Sequence, residues 1–254
     1  MVNITLVKDG NNMKIVASIE CRMTSTRLPG KVLMNALDDM SMLEVMIKRV
    51  QKSKYIDSVI LATTINEEDE VIVDLAKKLN IDYYRGSEHN VLDRVVKTHE
   101  SVNSDIIVEL TGDCPVIDPL HVDDCIKIYL ENNFDYVSNS LIRSFPDGCD
   151  VQVFSLDILS KTNEDTSDVL DQEHVSKYIY ECGKYTTFTI EAQGEYYWPE
   201  LGVTLDTKED YDLLKNIFTY FNNIDFDTMD YIKYLKQHPN LLKINQHIQR
   251  KGLT

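Results

Sequence analysis

Three cations fall within residues 22–31 (RMTSTRLPGK): Arg22, Arg27 and Lys31. They are interleaved with the hydroxyls of Thr24, Ser25 and Thr26 and closed by a Pro29-Gly30 turn. The chain as a whole sets 26 Lys and Arg against 42 Asp and Glu, a formal charge of -16, so such a cluster stands out against an acidic background. Basic side chains and turn amides together form a cradle for phosphates, and the loop after the first strand of an open α/β sheet is the usual place for one. The motif is neither Gly-x-x-x-x-Gly-Lys-Ser/Thr nor Gly-x-Gly-x-x-Gly, which disfavours kinases and dinucleotide enzymes. A plain surface turn, its cations paired with nearby acids, would read the same way. Asp113, in TGDCP at the end of a β-rich run, would project its carboxylate into the same crevice, or else form an Asx turn before Pro115. Asp206, in LDTKED, has Glu209 three residues on and could equally cap a helix.

Positioning these groups requires a sheet, and the hydrophobic periodicity supplies one. Short β-rich runs at 14–19, 57–63, 81–84 and 105–110 alternate with amphipathic stripes: Leu43, Met46, Ile47, Val50; then Ile72, Leu75, Ala76, Leu79; then residues 91–99; then Val122, Cys125, Ile126, Tyr129. Ser41 with Glu44 reads as a capping box for the first helix. This is α/β: a doubly wound, mostly parallel sheet. From about Phe134 the rhythm changes to short strands and turns, then a helix over 170–182 and a strand TTFTIEA, which predicts a small mixed lobe for substrate or dimerisation at 134–205. One domain over 13–221 with a helical extension over 222–254, broken at His238-Pro239, accounts for the rest. Residues 1–12 read as a short polar-ended leader, either an extra edge strand or an upstream start. With 254 residues, 43% of them hydrophobic, the chain buries a full core, while its charge repels nucleic acid and anionic membrane. The five cysteines are scattered, without a Cys-x-x-Cys pair, and no run of about 20 apolar residues is present. Reduced thiols in the cytoplasm fit that pattern.

The segment ECRMTSTRLPGKVL resembles the first motif of the cytidylyltransferases that activate sugar acids. It is similar to the spore-coat polysaccharide cytidylyltransferase-like family and to 3-deoxy-manno-octulosonate cytidylyltransferase. YRGSEHNVLDRV at 84–95, LTGDCPVIDP at 110–119, FPDGCDVQVF at 145–154, QEHVSKYIYE at 172–181 and VTLDTKEDYDLL at 203–214 follow in that family's order. The resemblance implies a glycosyltransferase-A-like nucleotidyltransferase fold and transfer of CMP from CTP to an acceptor with release of pyrophosphate. It implies Mg²⁺ held by Asp113 and Asp206, and a catalytic set of Arg22, Arg27, Lys31 and Asp113. Nucleotide contacts then fall to Glu20, Arg22, Ser25, Thr26, Lys31, Gly86, Ser87, Arg94 and Asp113, and acceptor contacts to Asn139, Asp150, Glu173 and His174. CTP, a small acceptor and a second copy in a homodimer are the implied partners. A glycosyltransferase using a nucleotide-sugar donor, and an inactive nucleotide-binding partner subunit, are the competing readings.

Two positions depart from the family pattern. Glu20-Cys21 stands where Gln-Ala is usual, and Thr24 where Gly is usual. The expectation is a negative charge near the nucleotide and an added side chain near the phosphates. Arg94 is expected to touch the nucleoside or to neutralise Asp93 or Glu109, and His174 is expected at the substrate site without a committed role as base.

Overall fold

The computed structural model describes residues 13–250. The edge strand or upstream start expected over residues 1–12 lies outside them. β1 (Ile15–Glu20), a run of buried side chains, is the axis of a seven-stranded sheet. A hairpin of β2 (Asn35–Leu37) and β3 (Met40–Ser41) leads into α1 (Met42–Val50). β4 (Ser58–Thr64), α2 (Glu70–Leu79), β5 (Asp82–Gly86), α3 (Val91–Ser101), β6 (Ile106–Thr111) and α4 (Pro119–Glu131) follow. β1 pairs parallel with β4 on one side and β6 on the other, and β4 pairs parallel with β5. The chain moves outward through β4 and β5 and then returns to β6, so the switch point lies between the carboxyl ends of β1 and β6.

Beyond β6 the sheet becomes mixed. β8 (Gln152–Ser155) runs antiparallel to β6 and to β7 (Tyr136–Ser138), and β9 (Thr187–Thr189) closes the edge parallel to β7. One face packs Ala17, Ile19, Val108 and Leu110 against the stripes of α1, α2 and α4. The other face packs Ile107 and Phe154 against α3 and against α5 (Leu156–Asp165) and its neighbours. This is the expected α/β architecture.

Several local expectations are corrected. The helix expected over 170–182 is two short ones, α6 (Val169–Glu173) and α7 (Lys177–Glu181), broken where Val175 takes φ 49. Left-handed backbone is costly for a β-branched residue, so burial of Val175 must hold it there. Ser41 caps α1 through its hydroxyl, but Glu44 pairs with Lys48 and Lys78 instead of closing the box. α8 (Lys208–Phe221) is capped one residue later than Asp206 suggests: Thr207 and Asp210 form the reciprocal box, which leaves the Asp206 carboxylate outside the cap.

α9 (Thr228–Gln237) and α10 (Pro239–Leu242) break at His238-Pro239 and share a second core with α8 and the β2–β3 hairpin. Buried Arg49 on α1 staples this extension. Its guanidinium donates to the carbonyls of Val116, Ile117, Ile224 and Phe226 and lies 4.5 Å from the Phe226 ring centroid.

Candidate active site

The cleft at the switch point has a volume of about 560 Å³, within the range of small-ligand sites. Its floor is the end of β1 and β6. Gly112 makes that floor possible: its N–H donates to the Glu20 carbonyl at 2.8 Å, and a Cβ there would come within 2.9 Å of Cys21 Cβ and the Glu20 carbonyl oxygen. Arg22, Ser25, Thr26, Arg27 and Lys31 line one wall. Asp113 and Asp206 line it as well, though they are 93 residues apart.

Lys31 ties the two aspartates together. Its Nζ lies 3.0 Å from Asp113 Oδ2 and 2.9 Å from Asp206 Oδ1, and Arg27 Nη2 reaches the same Asp206 oxygen at 2.9 Å. Burial alone would lower the Lys31 pKa, but Asp113 and Asp206 outweigh it and raise it. Burial alone would likewise raise the Asp113 pKa, but the Lys31 ammonium holds it below the usual carboxylate range. Asp113 therefore uses its carboxylate on Lys31, and Asp206 faces the cleft because Thr207 takes over the capping.

The basic loop is organised by a residue that the sequence reading left out. Glu88 accepts from Thr24 Oγ1 at 2.5 Å and from Arg22 Nη1 at 3.1 Å through one oxygen, and from Asn66 Nδ2 at 2.8 Å through the other. Thr24 is thus turned toward Glu88 and does not line the cleft, contrary to the expected crowding of the phosphates. Asp69 adds a second anchor, accepting from the Met23 N–H at 2.7 Å. Glu88 lies within the 84–95 motif, where its carboxylate in an otherwise turn-forming stretch is the available signal. Asp69, in an acidic helix start, carried none.

Arg94 pairs with neither Asp93 nor Glu109. Asp93 takes Lys97, while Arg94 lies beside Glu20 and donates to the Ser87 carbonyl. Gly86 permits this passage, since a Cβ there would meet Arg94 Cγ at 2.9 Å. Gly86 and Ser87 themselves line a shallower neighbouring hollow behind Glu88 and not the main cleft. Glu20 does line the cleft. Burial and the neighbouring Glu109 raise its pKa well above the ordinary value despite Arg94.

A smaller cavity of about 160 Å³ adjoins the cleft and shares Glu20, Thr111, Glu173 and His174 with it. Asp150 lines this cavity, clamped by both guanidinium nitrogens of Arg143. Asn139 belongs to neither space. Its amide is buried between the Cys149 carbonyl and the Val151 N–H, at 2.8 Å each, so it pins the turn before β8. Among the described residues no cluster of three or more His, Cys, Asp or Glu is placed to hold a metal ion. Two hard carboxylate oxygens beside a phosphate cradle instead suit an ion that completes its shell with phosphates and water, as Mg²⁺ does.

A doubly wound sheet with acidic and basic groups meeting at its switch point defines a nucleotidyltransferase-type site, and comparison with known proteins narrows the class. The cytidylyltransferase family pattern matches residues 16–252, and the chain belongs to that family. It is 36% identical over 242 residues to an uncharacterized protein of Methanocaldococcus jannaschii, covering 94% of this chain and 98% of that one. It is 34% identical over 210 residues to the spore coat polysaccharide biosynthesis protein SpsF of Bacillus subtilis, covering 80% and 86%. A cytidylyltransferase structure from Leptospira borgpetersenii superposes with a TM-score of 0.87 at 32% identity, covering 94% of this chain and all of that one.

Proposed function

We propose that this protein transfers CMP from CTP to a hydroxyl of a small acceptor, a sugar acid or related surface-polysaccharide precursor, with Mg²⁺ as the metal. The acceptor oxygen attacks the α-phosphorus, the bond from that phosphorus to the bridging oxygen breaks, pyrophosphate leaves, and the acceptor hydroxyl gives up its proton. Arg22, Arg27 and Lys31 bind and orient the triphosphate, and Ser25 and Thr26 add hydroxyl donors along the same wall. Asp113 and Asp206 are the residues that would hold the metal, which when bound neutralises charge building on the leaving pyrophosphate. Positioning and charge compensation suffice for such chemistry, so no covalent enzyme intermediate is needed.

The observation that carries this reading is the convergence of Asp113, Asp206, Arg27 and Lys31 on one point of the cleft wall. Family likeness supports the choice of CTP, and five free thiols fit a cytoplasmic setting. Pairing into a homodimer is carried over from the resemblance alone. The test is a pyrophosphate-release screen crossing four NTPs with an acceptor panel, repeated with Asp113→Asn. CTP-specific release that falls at least about a hundredfold in the variant is expected, a loss of about 3 kcal/mol of transition-state stabilisation. A fully active Asp113 variant would overturn the site assignment.

A further inference from the structure

Asp206 ends a ribbon, residues 201–206, that runs between Asp147 and Asp113. The Leu205 N–H donates to the Asp113 carbonyl at 2.7 Å, and the Val203 N–H donates to the Asp147 carbonyl at 2.7 Å. The Asp147 N–H in turn donates to the Leu201 carbonyl at 2.8 Å. None of these bonds holds the amide of Asp206 itself. That falls to Asp210 in the first turn of α8, whose Oδ2 accepts from the N–H groups of Asp206 at 3.2 Å and Thr207 at 2.9 Å.

The other oxygen of Asp210 is held by the segment after α10. Oδ1 accepts from Arg250 Nη2 at 2.7 Å and from Asn245 Nδ2 at 2.9 Å, and Asn245 Nδ2 also donates to the Gly202 carbonyl at 2.9 Å. Asp210 is fully buried, so both its oxygens depend on donors from the protein. The same guanidinium turns its Nε toward Asp147 Oδ2 at 3.8 Å, while Arg143, which clamps Asp150, approaches Asp147 from the other carboxylate oxygen. Gly202 makes room for this seat. A Cβ there would run into Nη2, Cζ and Nε of Arg250, so any side chain at 202 displaces the guanidinium.

We propose that Arg250 is a positioning residue for the metal-holding carboxylate of Asp206, fixing through Asp210 the backbone from which that carboxylate projects, a role that rests on the metal reading above. Charge alone acts in the opposite sense, because a nearby guanidinium repels a divalent ion. Loss of Arg250 therefore weakens metal binding only if positioning outweighs repulsion. Outer partners of metal ligands typically carry about 10–100-fold in metal affinity.

The test is titration calorimetry on the full-length protein, with a non-hydrolysable CTP analogue in the presence and in the absence of Mn²⁺. In Arg250→Met the analogue is expected to bind about tenfold more weakly with Mn²⁺ and with unchanged affinity without it. Gly202→Ala, which keeps Arg250 but displaces its guanidinium, is expected to show the same split, and Arg250→Lys to recover part of the loss. Phe221→Ala loosens the extension at the far end of α8 and is expected to match wild type in both titrations. In the metal-free protein, hydrogen exchange at the Asp206 and Thr207 amides should quicken about tenfold in Arg250→Met, with the Gly112 amide unmoved. A Mn²⁺-dependent gain that survives in Gly202→Ala and in a folded Arg250→Met protein, unchanged protection of those amides, or an equal loss in Phe221→Ala would each overturn the proposal. If Arg250→Met does not fold, Gly202→Ala decides. A wild-type protein whose affinity for the analogue gains nothing from Mn²⁺ would instead overturn the metal reading of Asp206, leaving amide exchange to judge the contact with Asp210.

Discussion

Replacing Lys31 with Met keeps the length of the stem and removes the ammonium that holds Asp113 and Asp206. The Lys31 side chain is 11% exposed, that of Asp113 26% and that of Asp206 16%, so the trio is only partly screened by water. At contacts of 3.0 and 2.9 Å, an effective dielectric constant of about 20 gives a gross attraction of roughly 5 kcal/mol each. Most of that offsets desolvation, and removing one partner of a buried pair typically costs about 3–5 kcal/mol. Arg27 remains on Asp206, so a loss of about 2–4 kcal/mol at pH 7 is expected in urea unfolding. The pH dependence has a definite sign. Asp113 is held below its ordinary pKa, so its share is present above about pH 4 and is lost as pH falls through the folded value. Lys31 is held above its ordinary pKa, so its share is present below about pH 10 and is lost as pH rises through the folded value. The gap between wild type and variant should therefore be widest between those limits and close outside them. Mg²⁺ without nucleotide should stabilise the variant more than the wild type, since the vacated position now lies between two carboxylates. A gap under about 0.5 kcal/mol at pH 7, or equal Mg²⁺ stabilisation of the two proteins, would refute the reasoning.

Glu88→Gln removes the anion that gathers Arg22, Thr24 and Asn66, so the KM for CTP should rise about tenfold with kcat nearly unchanged; steady-state kinetics showing a kcat loss alone would contradict this role. Arg49→Met leaves four carbonyls of the α1–extension junction without their donor, and a loss of about 3–5 kcal/mol in urea unfolding is expected, against under 1 kcal/mol if the staple is idle. Burial pushes Glu109 up to about 8, so the folded chain holds this proton more tightly than the unfolded chain does. Its contribution therefore declines as pH rises from about 4.5 to 8, by up to about 1.4 kcal/mol per pH unit, and Glu109→Gln should flatten that decline in unfolding measured across the range.

The parts legible in the sequence are those where local chemistry and topology agree. A strand, a basic turn and an Asp at the end of a second strand meet at a switch point because parallel βαβ units leave them no other end of the sheet. Asp206 was legible as a carboxylate but not as a free one, because a capping box at Asp206–Glu209 and one at Thr207–Asp210 differ by a single residue, and only the backbone decides between them. Glu88, Asp69 and Arg49 act through partners 46 to 177 residues distant, as at Glu88–Arg22, Asp69–Met23 and Arg49–Phe226, and no periodicity reports such pairings. Asn139 differs in the opposite direction: a polar residue expected at the acceptor is spent on the backbone of a turn ten to twelve residues further along the chain. The break at Val175 was hidden because a β-branched residue is a poor predictor of left-handed backbone, and burial in the folded lobe is what holds it.

Each cation around the cleft is already engaged: Arg22 with Glu88, Arg27 with Asp206, Lys31 with both aspartates, Arg94 beside Glu20. On the proposed reading a triphosphate would not meet free charges; it would exchange one anion for another. When Arg27 and Lys31 turn to phosphate oxygens, Asp113 and Asp206 are left facing each other without a counter-ion, which is costly in a partly buried site. Asp113 and Asp206 would hold a divalent ion that offsets that cost, and its binding would in turn free Arg27 and Lys31 for the phosphates. On that reading nucleotide and metal would favour one another, and by linkage the coupling would be equal in both directions, of the order of 1–3 kcal/mol. The surface charge of -16 acts in the same sense, since it repels a bare triphosphate more than one partly neutralised by a divalent ion. On the proposed reading, an acidic protein with a small, internally paired basic loop would be suited to the metal-bound form of its nucleotide.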